Sequence, residues 1–170
     1  MREAFDLASG SHVIMMASDL ETDPDLVPKM IDKSRQRPDA VVTATRWQRG
    51  GRFTDYDPVK LVSNWLFQQF FRLLYATRLS DLTYGYRLFP ASLLQSILWE
   101  EYGHSFLFET ILKPLRLGVS VVEIPTIWSA RRQGESQNRF SGYFRYLWIG
   151  VKVRFMPLRR LLRRQPAQPL

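Results

Sequence analysis

The 170 residues contain no cysteine. That excludes a disulfide framework, a thiolate nucleophile and any cysteine-ligated metal, and it is compatible with a reducing compartment. Histidine is scarce: His12 and His104 stand too far apart in the chain to suggest a histidine-based metal site. Long hydrophobic runs are missing as well. The best candidate, YFRYLWIGVKVRFM, is interrupted by Arg145, Lys152 and Arg154, so no transmembrane helix is expected where about 20 apolar residues are needed. The opening MREAFDLASG has no apolar h-region, so no secretory signal is expected. No internal repeat and no inter-domain linker is visible. What remains is a chain with 45% hydrophobic and 14% aromatic residues, a composition that argues against disorder and for one compact domain with a real core.

Charge is plentiful but segregated. The net charge is +8, yet Glu3, Asp6, Asp19, Glu21, Asp23, Asp25 and Asp32 dominate the head. Arg131, Arg132, Arg139, Arg145, Lys152, Arg154, Arg159, Arg160, Arg163 and Arg164 dominate the tail against Glu135 alone. An acidic head suits a cation. A basic tail suits phosphates on a small molecule, a lipid surface or a nucleic acid.

Hydrophobic spacing gives a coarse order of elements. Residues 2 to 8 read as the end of a helix closed by Ser9-Gly10, and Val13 to Ala17 as a strand buried on both faces. Asp23-Pro24 reads as a helix start, followed by Leu26, Val27, Met30 and Ile31 at helical spacing. Ala40 to Thr45 is a second strand. Arg46 to Asp57 is a polar loop with a Gly-Gly pair. A long helix starts at Pro58 behind an Asp57 cap, with Val62, Trp65, Leu66, Phe70, Leu73 and Leu74 as its apolar face. Leu82 to Phe89 reads as loop plus short strand, Phe106 to Leu117 as a helix ended by Gly118, and Val119 to Ile127 as a strand that Pro125 places at an edge or an end. Ser141 caps an aromatic-rich helix, which Pro157 restarts or kinks. Strand–helix–strand with short connections predicts an α/β sheet.

Within that order, HVIMMASDLETDP ends an apolar strand in acids at every second position. Asp23 is accounted for by capping. Asp19 and Glu21 stand where open α/β sheets place their ligands, at the carboxyl end of a strand, and two carboxylates there need a counter-charge. A hard divalent cation supplies one, since Mg²⁺ takes one or two protein carboxylates and shares the rest of its shell with phosphate oxygens.

Six stretches then follow one another: ASDLETDPDLVPKMI, VVTATRWQRGG, SDLTYGYRLFP, FLFETILKPLRLG, VVEIPTIW and RRQGES. Their order and spacing over about residues 3 to 150 resemble family 2 glycosyltransferases of the GT-A fold, especially the dolichol- or polyprenyl-phosphate mannosyltransferase branch. The resemblance implies a partial GT-A architecture: Rossmann-like, a mostly parallel sheet with flanking helices, then a C-terminal amphipathic helix. It divides the chain into residues 1–140, the C-terminal part of the catalytic domain; 141–164, a basic, aromatic helical segment; and 165–170, a disordered tail.

The family's metal-binding D-x-D strand end maps onto Ala17 and Asp19, with Glu21 as a further oxygen ligand. Ala17 departs from the pattern, which leaves Asp19 and Glu21 to hold Mg²⁺ or Mn²⁺. Arg46 maps onto a basic residue near the diphosphate or the acceptor phosphate. DLTYGYRLF maps onto the D-x-T-x-G-[FY]-R loop, giving Asp81, Thr83, Gly85 and Arg87 roles near sugar and acceptor. Glu109 maps onto an acid beside the acceptor pocket, and Arg131, Arg132, Gly134, Glu135 and Ser136 onto the R-x-x-G-E-S loop that closes over phosphates. Asp19, Glu109 and Arg87 are the implied catalytic residues, Glu109 serving as base for a hydroxyl acceptor. Set against these roles, Arg46, Arg87 and Arg132 taken singly read as surface residues, Glu109 as an ion-pair partner, Gly85 and Gly134 as turn glycines, and Phe67, Phe70, Phe71 and Tyr75 as packing rather than a lipid groove.

The implied reaction is metal-assisted inverting transfer of a hexose from a nucleotide-sugar donor to a polyprenyl phosphate or related lipid-linked acceptor, in cell-envelope synthesis. Cation and arginines neutralise the leaving diphosphate. The nucleotide-binding half that opens the family's domain has no counterpart in these residues, so a separate chain is an implied partner. The alternative is a truncated, non-catalytic remnant serving as a membrane- or partner-binding module. Between Ser141 and Arg164 the chain mixes aromatic and basic residues, with Phe144, Leu147, Trp148, Val151, Phe155, Leu158 and Leu162 on one helical side, as an interfacial helix requires, which implies a cytoplasmic protein peripheral to the inner membrane face. A core-packing helix with a solvated basic end is the competing reading. Nucleic acid is the weaker one, because no recognised motif accompanies the charge.

Overall fold

The computed structural model describes residues 1–18, 21–129 and 141–163. Its elements are α1 (Arg2–Asp6), β1 (His12–Met15), α2 (Leu26–Gln36), β2 (Val41–Thr45), β3 (Arg52–Thr54), α3 (Pro58–Tyr75), β4 (Arg87–Pro90), α4 (Ala91–Ser96), α5 (Gly103–Arg116), β5 (Val121–Pro125), β6 (Ile127–Ser129) and α6 (Ser141–Phe155), followed by a 3₁₀ turn at Leu158–Arg160. The main sheet runs β1-β4-β2-β5. β2 and β5 pair in parallel, while β4 pairs antiparallel with both β1 and β2. Three strands therefore point one way and β4 is threaded between them in the opposite sense. β3 and β6 form a separate parallel ribbon.

Side-chain alternation on the strands splits the core into two layers. On one face Val41 and Phe89 join Phe71, Phe108, Ile111, Ile149 and Val153 beneath α3, α5 and α6. On the other, Val42, Ala44 and Leu88 meet Leu26 and Met30 of α2. The result is a helix–sheet–helix sandwich in which β2 is buried along its whole length.

Several expectations shift for local reasons. β1 is only partly buried, not dry on both faces, because among the described residues it pairs on one side only. The helix expected at Asp23-Pro24 starts later, with Asp25 at the N-cap. The Asp23 carboxylate instead accepts the Asp25 N–H at 2.9 Å, closing a turn in front of the helix. The polar loop after β2 contains β3, and the long strand of 119–127 is two strands. Between them the Thr126 N–H bonds Thr45 O, at 2.9 Å. The short helix α4 follows β4 directly and carries no periodic signal of its own. Residues 165–170, expected to be disordered, lie outside the described residues.

The largest difference concerns α3. Asp57 caps it as expected, accepting the Lys60 N–H at 2.8 Å. But the apolar stripe that reads as the core face is turned outward: Val59, Val62, Trp65, Leu66, Phe70 and Leu73 are exposed, Leu73 at 83%. The buried face is Gln68 and Phe71, with Asn64, Phe67, Leu74 and Tyr75 half-buried beside them. α6 behaves in the same way. Ile149, Gly150 and Val153 face the core, while Phe144, Leu147, Trp148 and Phe155 stay exposed. A helix apolar on both sides ordinarily lies inside a larger body or against an apolar phase.

The two helices pack side by side. The Phe67 ring lies 6.1 Å from Tyr146, Phe71 fills the space beside Gly150, and Leu74 O accepts the Arg154 Nε–H at 2.7 Å. Equal steps along both helices mean that they run in the same direction. With their inner faces on the core, the two outer stripes open to the same side of the molecule.

Candidate active site

β1, β2 and β5 end at one edge of the sheet, and β4, running the other way, begins there. The loops after β1 and β2, the ribbon after β5 and the loop before β4 thus converge, as open α/β sheets require for ligand sites. Among the described residues this edge gathers Glu21, Arg46, Asp81, Thr83 and Trp128.

Its centre is a buried ion pair. Arg46 Nε lies 2.7 Å from Asp81 Oδ2 and Arg46 Nη2 3.0 Å from Oδ1, a bidentate fork. Asp81 is fully buried and Arg46 is 9% exposed. The carboxylate also accepts the N–H groups of Thr83 and Tyr84 and the Thr83 hydroxyl, so the loop folds around it. Burial pulls the Asp81 carboxyl upward, but the Arg46 charge and its hydrogen bonds outweigh that and hold it below the usual carboxylate range. Burial likewise pulls Arg46 down, and Asp81 keeps it above its ordinary value. The guanidinium is stacked between the rings of Phe53 and Tyr84, 4.8 and 4.6 Å from their centroids.

Thr83 Oγ1 ties in α3 by accepting from Arg46 Nη2 at 3.1 Å and Gln68 Nε2 at 2.9 Å. Gln68 Nε2 also reaches Asp81 Oδ1 at 3.1 Å, and its carbonyl accepts the Leu82 N–H. Gln68 and its neighbour Asn64 did not emerge from the sequence reading. The signal was there: a polar pair at i, i+4 on the side of α3 opposite the apolar stripe.

Glu123 was missed too, although a charged residue inside VVEIP is itself conspicuous. Its Oε1 accepts the Ser80 N–H and hydroxyl, both at 2.8 Å, and the Asp81 N–H at 3.1 Å. Its Oε2 accepts Gln48 Nε2 at 2.7 Å. Burial pushes this carboxyl up, the Ser80 and Asp81 hydrogen bonds pull against it, and the net direction is upward. Glu123 therefore clamps β5 to the two residues that begin the Asp81 loop.

Glu21 sits across an aromatic bridge. It accepts the Trp128 Nε1–H at 3.1 Å. Trp128 packs edge-on against Tyr56 at 5.1 Å, and Tyr56 against Phe53 at 5.0 Å, the ring beneath Arg46. Asp19, its expected partner in holding a cation, lies outside the described residues, as do Arg131, Arg132, Gly134, Glu135 and Ser136. Among the described residues there is no group of three or more acidic or histidine side chains that could hold a metal. The Glu21 carboxylate is of the hard-oxygen type that suits Mg²⁺ or Mn²⁺.

Arg87 and Glu109 belong to the interior. Arg87 is fully buried and donates to Leu82 O at 3.0 Å, Thr110 Oγ1 at 2.8 Å, Thr43 Oγ1 at 3.2 Å and Leu107 O. It joins β4, β2 and α5 behind the Asp81 loop, and burial pushes it down to about 10. Glu109 is paired with Lys113 at 2.7 Å, both fully buried, and accepts the N–H groups of Glu100 and Glu101. Lys113 also contacts Glu100 and Leu98 O. The ion-pair role, one of the two readings of Glu109, is the one its contacts describe. Gly85 packs against Leu107: a Cβ there would stand 3.0 Å from that side chain, closer than ordinary van der Waals contact.

Loops converging on the strand ends, one antiparallel strand among parallel ones, and a buried arginine–aspartate pair make up an α/β domain of the GT-A type. Residues 1–98 match the family described as Glycosyl transferase family 2, and the chain belongs to that family. An undecaprenyl-phosphate mannosyltransferase of Micrococcus luteus is 26% identical over 128 residues, covering 74% of this chain and 52% of that protein. Among solved structures, glucosyl-3-phosphoglycerate synthase from Mycobacterium tuberculosis, in complex with uridine diphosphate, superimposes with a TM-score of 0.62 at 14% identity. That match covers 92% of this chain and 54% of the other. The chain spans about half the length of these relatives.

Proposed function

We propose that the chain is the acceptor-side part of a glycosyltransferase that moves a hexose from a nucleotide sugar to a polyprenyl phosphate. The observation that carries this reading is the Arg46–Asp81–Thr83 cluster at the strand ends of a family 2 chain similar to an undecaprenyl-phosphate mannosyltransferase. In this reading the buried cluster is the rigid floor of the site. Asp19 and Glu21 would hold Mg²⁺ or Mn²⁺, which would offset charge on the leaving diphosphate. Arg131, Arg132, Gly134, Glu135 and Ser136 close over the phosphates. The acceptor phosphate is already a nucleophile, so inverting attack needs no base, which agrees with a Glu109 occupied by Lys113. Arg87 acts through the loop it anchors. The open side of β1 receives the nucleotide-binding strands.

No helix among the described residues is long and apolar enough to cross a membrane. The outer stripes of α3 and α6, with exposed Arg159 and Arg160 beyond α6, form a surface suited to the acyl boundary and anionic headgroups of the cytoplasmic membrane face. The same surface favours a second reading, a membrane-binding module without catalysis.

One assay separates the two. The chain is mixed with undecaprenyl phosphate, Mn²⁺ and radiolabelled nucleotide hexoses, alone and with the N-terminal half of the Micrococcus luteus relative as a second chain. Labelled lipid is expected when both are present. Its absence in every mixture, with vesicle binding intact, would leave only the module.

A further inference from the structure

The acidic turn after β1 is pinned from several sides. The Thr22 hydroxyl donates to Ala17 O at 3.3 Å, and the Tyr86 hydroxyl donates to Asp23 O at 3.1 Å. Between them the Trp128 Nε1–H donates to Glu21 Oε2 at 3.1 Å. The first two contacts fix the backbone of the turn. The third reaches a side chain, and it comes from a residue 107 positions away in the sequence.

Trp128 is itself held firmly. In the β3–β6 ribbon it stands opposite Phe53. Its neighbours Ile127 and Ser129 alternate to the other face and are exposed. The indole packs edge-on against Tyr56, with centroids 5.1 Å apart and planes at 87°. It lies 6.4 Å from the Phe53 ring and against the core layer that contains Leu26, Met30 and Ile124. A ring fixed in this way gives its N–H one direction. An indole N–H only donates, and it carries no charge. It therefore orients a carboxylate without cancelling the charge that a cation needs. An arginine or lysine in its place would compete with the cation, and a phenylalanine would pack as well but orient nothing.

We infer that Trp128 is a positioning residue for the cation: its N–H holds the Glu21 carboxylate in the orientation that a hard divalent ion requires. The inference rests on the reading above, in which Asp19 and Glu21 hold Mg²⁺ or Mn²⁺, and it adds the residue that prepares the ligand. Metal-binding carboxylates are themselves oriented by hydrogen bonds from behind, and loss of such a partner lowers metal affinity about 10–100-fold. A carboxylate already in place loses less freedom when the ion arrives. The need is greater here because Ala17 brings no carboxylate to the turn, so fewer side chains must hold the ion. The same indole touches Tyr56, and Tyr56 touches Phe53, the ring beneath Arg46. The cation arm and the buried Arg46–Asp81 pair are thereby built against one set of rings.

The test follows the indole N–H signals of the five tryptophans in the 170-residue chain by NMR during titration with Mg²⁺ alone. Each signal is assigned by replacing its tryptophan with phenylalanine. The Trp128 signal is expected to shift to saturation, while those of Trp65, Trp99 and Trp148 stay in place, and Glu21→Ala should abolish the shift. Mn²⁺ affinity, read from the electron paramagnetic resonance of the free ion, should fall about tenfold in Trp128→Phe. Adding Trp128→Phe to Glu21→Ala should bring no further loss, because the indole then has no carboxylate to orient. A packing defect alone would weaken both backgrounds and would count against the inference. Mn²⁺ binding that Glu21→Ala weakens and Trp128→Phe does not, or a Trp128 signal that ignores Mg²⁺ while such binding persists, would overturn the positioning role and leave the cation reading standing. Mn²⁺ bound equally by the parent and Glu21→Ala, or by neither, would overturn both.

Discussion

At the scale of single residues, the site depends on one aspartate. Asp81 neutralises Arg46, and it also holds three groups of its own loop. A buried charge left without its partner costs about 3–5 kcal/mol, so Asp81→Asn should lower unfolding stability by about that amount, read by urea denaturation at neutral pH. The pH profile gives a second handle. The folded value of Asp81 lies below the ordinary 3.8, so its contribution is complete above that pH and is lost as pH falls through the folded value. Glu123 is shifted the other way, above 4.5; its contribution is complete below 4.5 and fades as pH rises through the folded value. Asp81→Asn should therefore flatten the acid limb below 3.8, leaving what Glu100 contributes through its own lowered carboxyl. Glu123→Gln should flatten the limb above 4.5. Acid limbs that are identical in parent and Asp81→Asn would remove the pair from its central place.

Among the elements, α3 and α6 decide how the molecule is read, and their contact is unforgiving. A Cβ on Gly150 would stand 1.9 Å from the buried Phe71 ring, which is held by Phe67, Phe70 and Phe108 around it. Helix propensity alone makes Gly→Ala favourable by about 1 kcal/mol, while overpacking a tight core costs about 1–3 kcal/mol. The clash should win. Gly150→Ala is expected to lower the thermal midpoint measured by circular dichroism, and an unchanged or raised midpoint would mean that the helices sit farther apart. This contact also marks where sequence reading fell short. The order of strands and helices, the α3 cap and the sheet class were legible from spacing, because each rests on local chemistry. The facing of α3 was not. Its strongest apolar stripe lies outside, and its buried side contains Gln68, which only the Asp81 loop satisfies. Polar residues turned inward to serve a site invert the usual inside–outside rule, and no periodicity count can see the partner. Arg46, Asp81 and Thr83 were found by motif; Glu123 and Gln68, which hold them in place, were not, since each is tied to the loop by contacts distant in sequence.

For the whole molecule, the proposed membrane contact would divide its work between charge and apolar surface. The exposed stripes of α3 and α6 supply hydrophobic area on one side, and Arg159 and Arg160 continue that end of the chain into solvent. Each basic residue near an anionic surface is worth about 1 kcal/mol, screened within about 10 Å at 0.1 M salt. Electrostatics should bring the chain to anionic vesicles, and apolar insertion should keep it there. Flotation with phosphatidylglycerol vesicles is expected to recover the chain, with recovery falling but not vanishing as salt is raised. Neutral phosphatidylcholine vesicles should recover much less. Trp148→Ser with Phe155→Ser, and separately Leu66→Ser with Leu73→Ser, should each abolish the salt-resistant fraction. All four side chains are exposed, and surface changes ordinarily alter stability by about 0.5 kcal/mol or less. If the α6 pair matters and the α3 pair does not, the surface is a single helix. In that case the lipid would reach the strand ends by a route other than the outer face of α3.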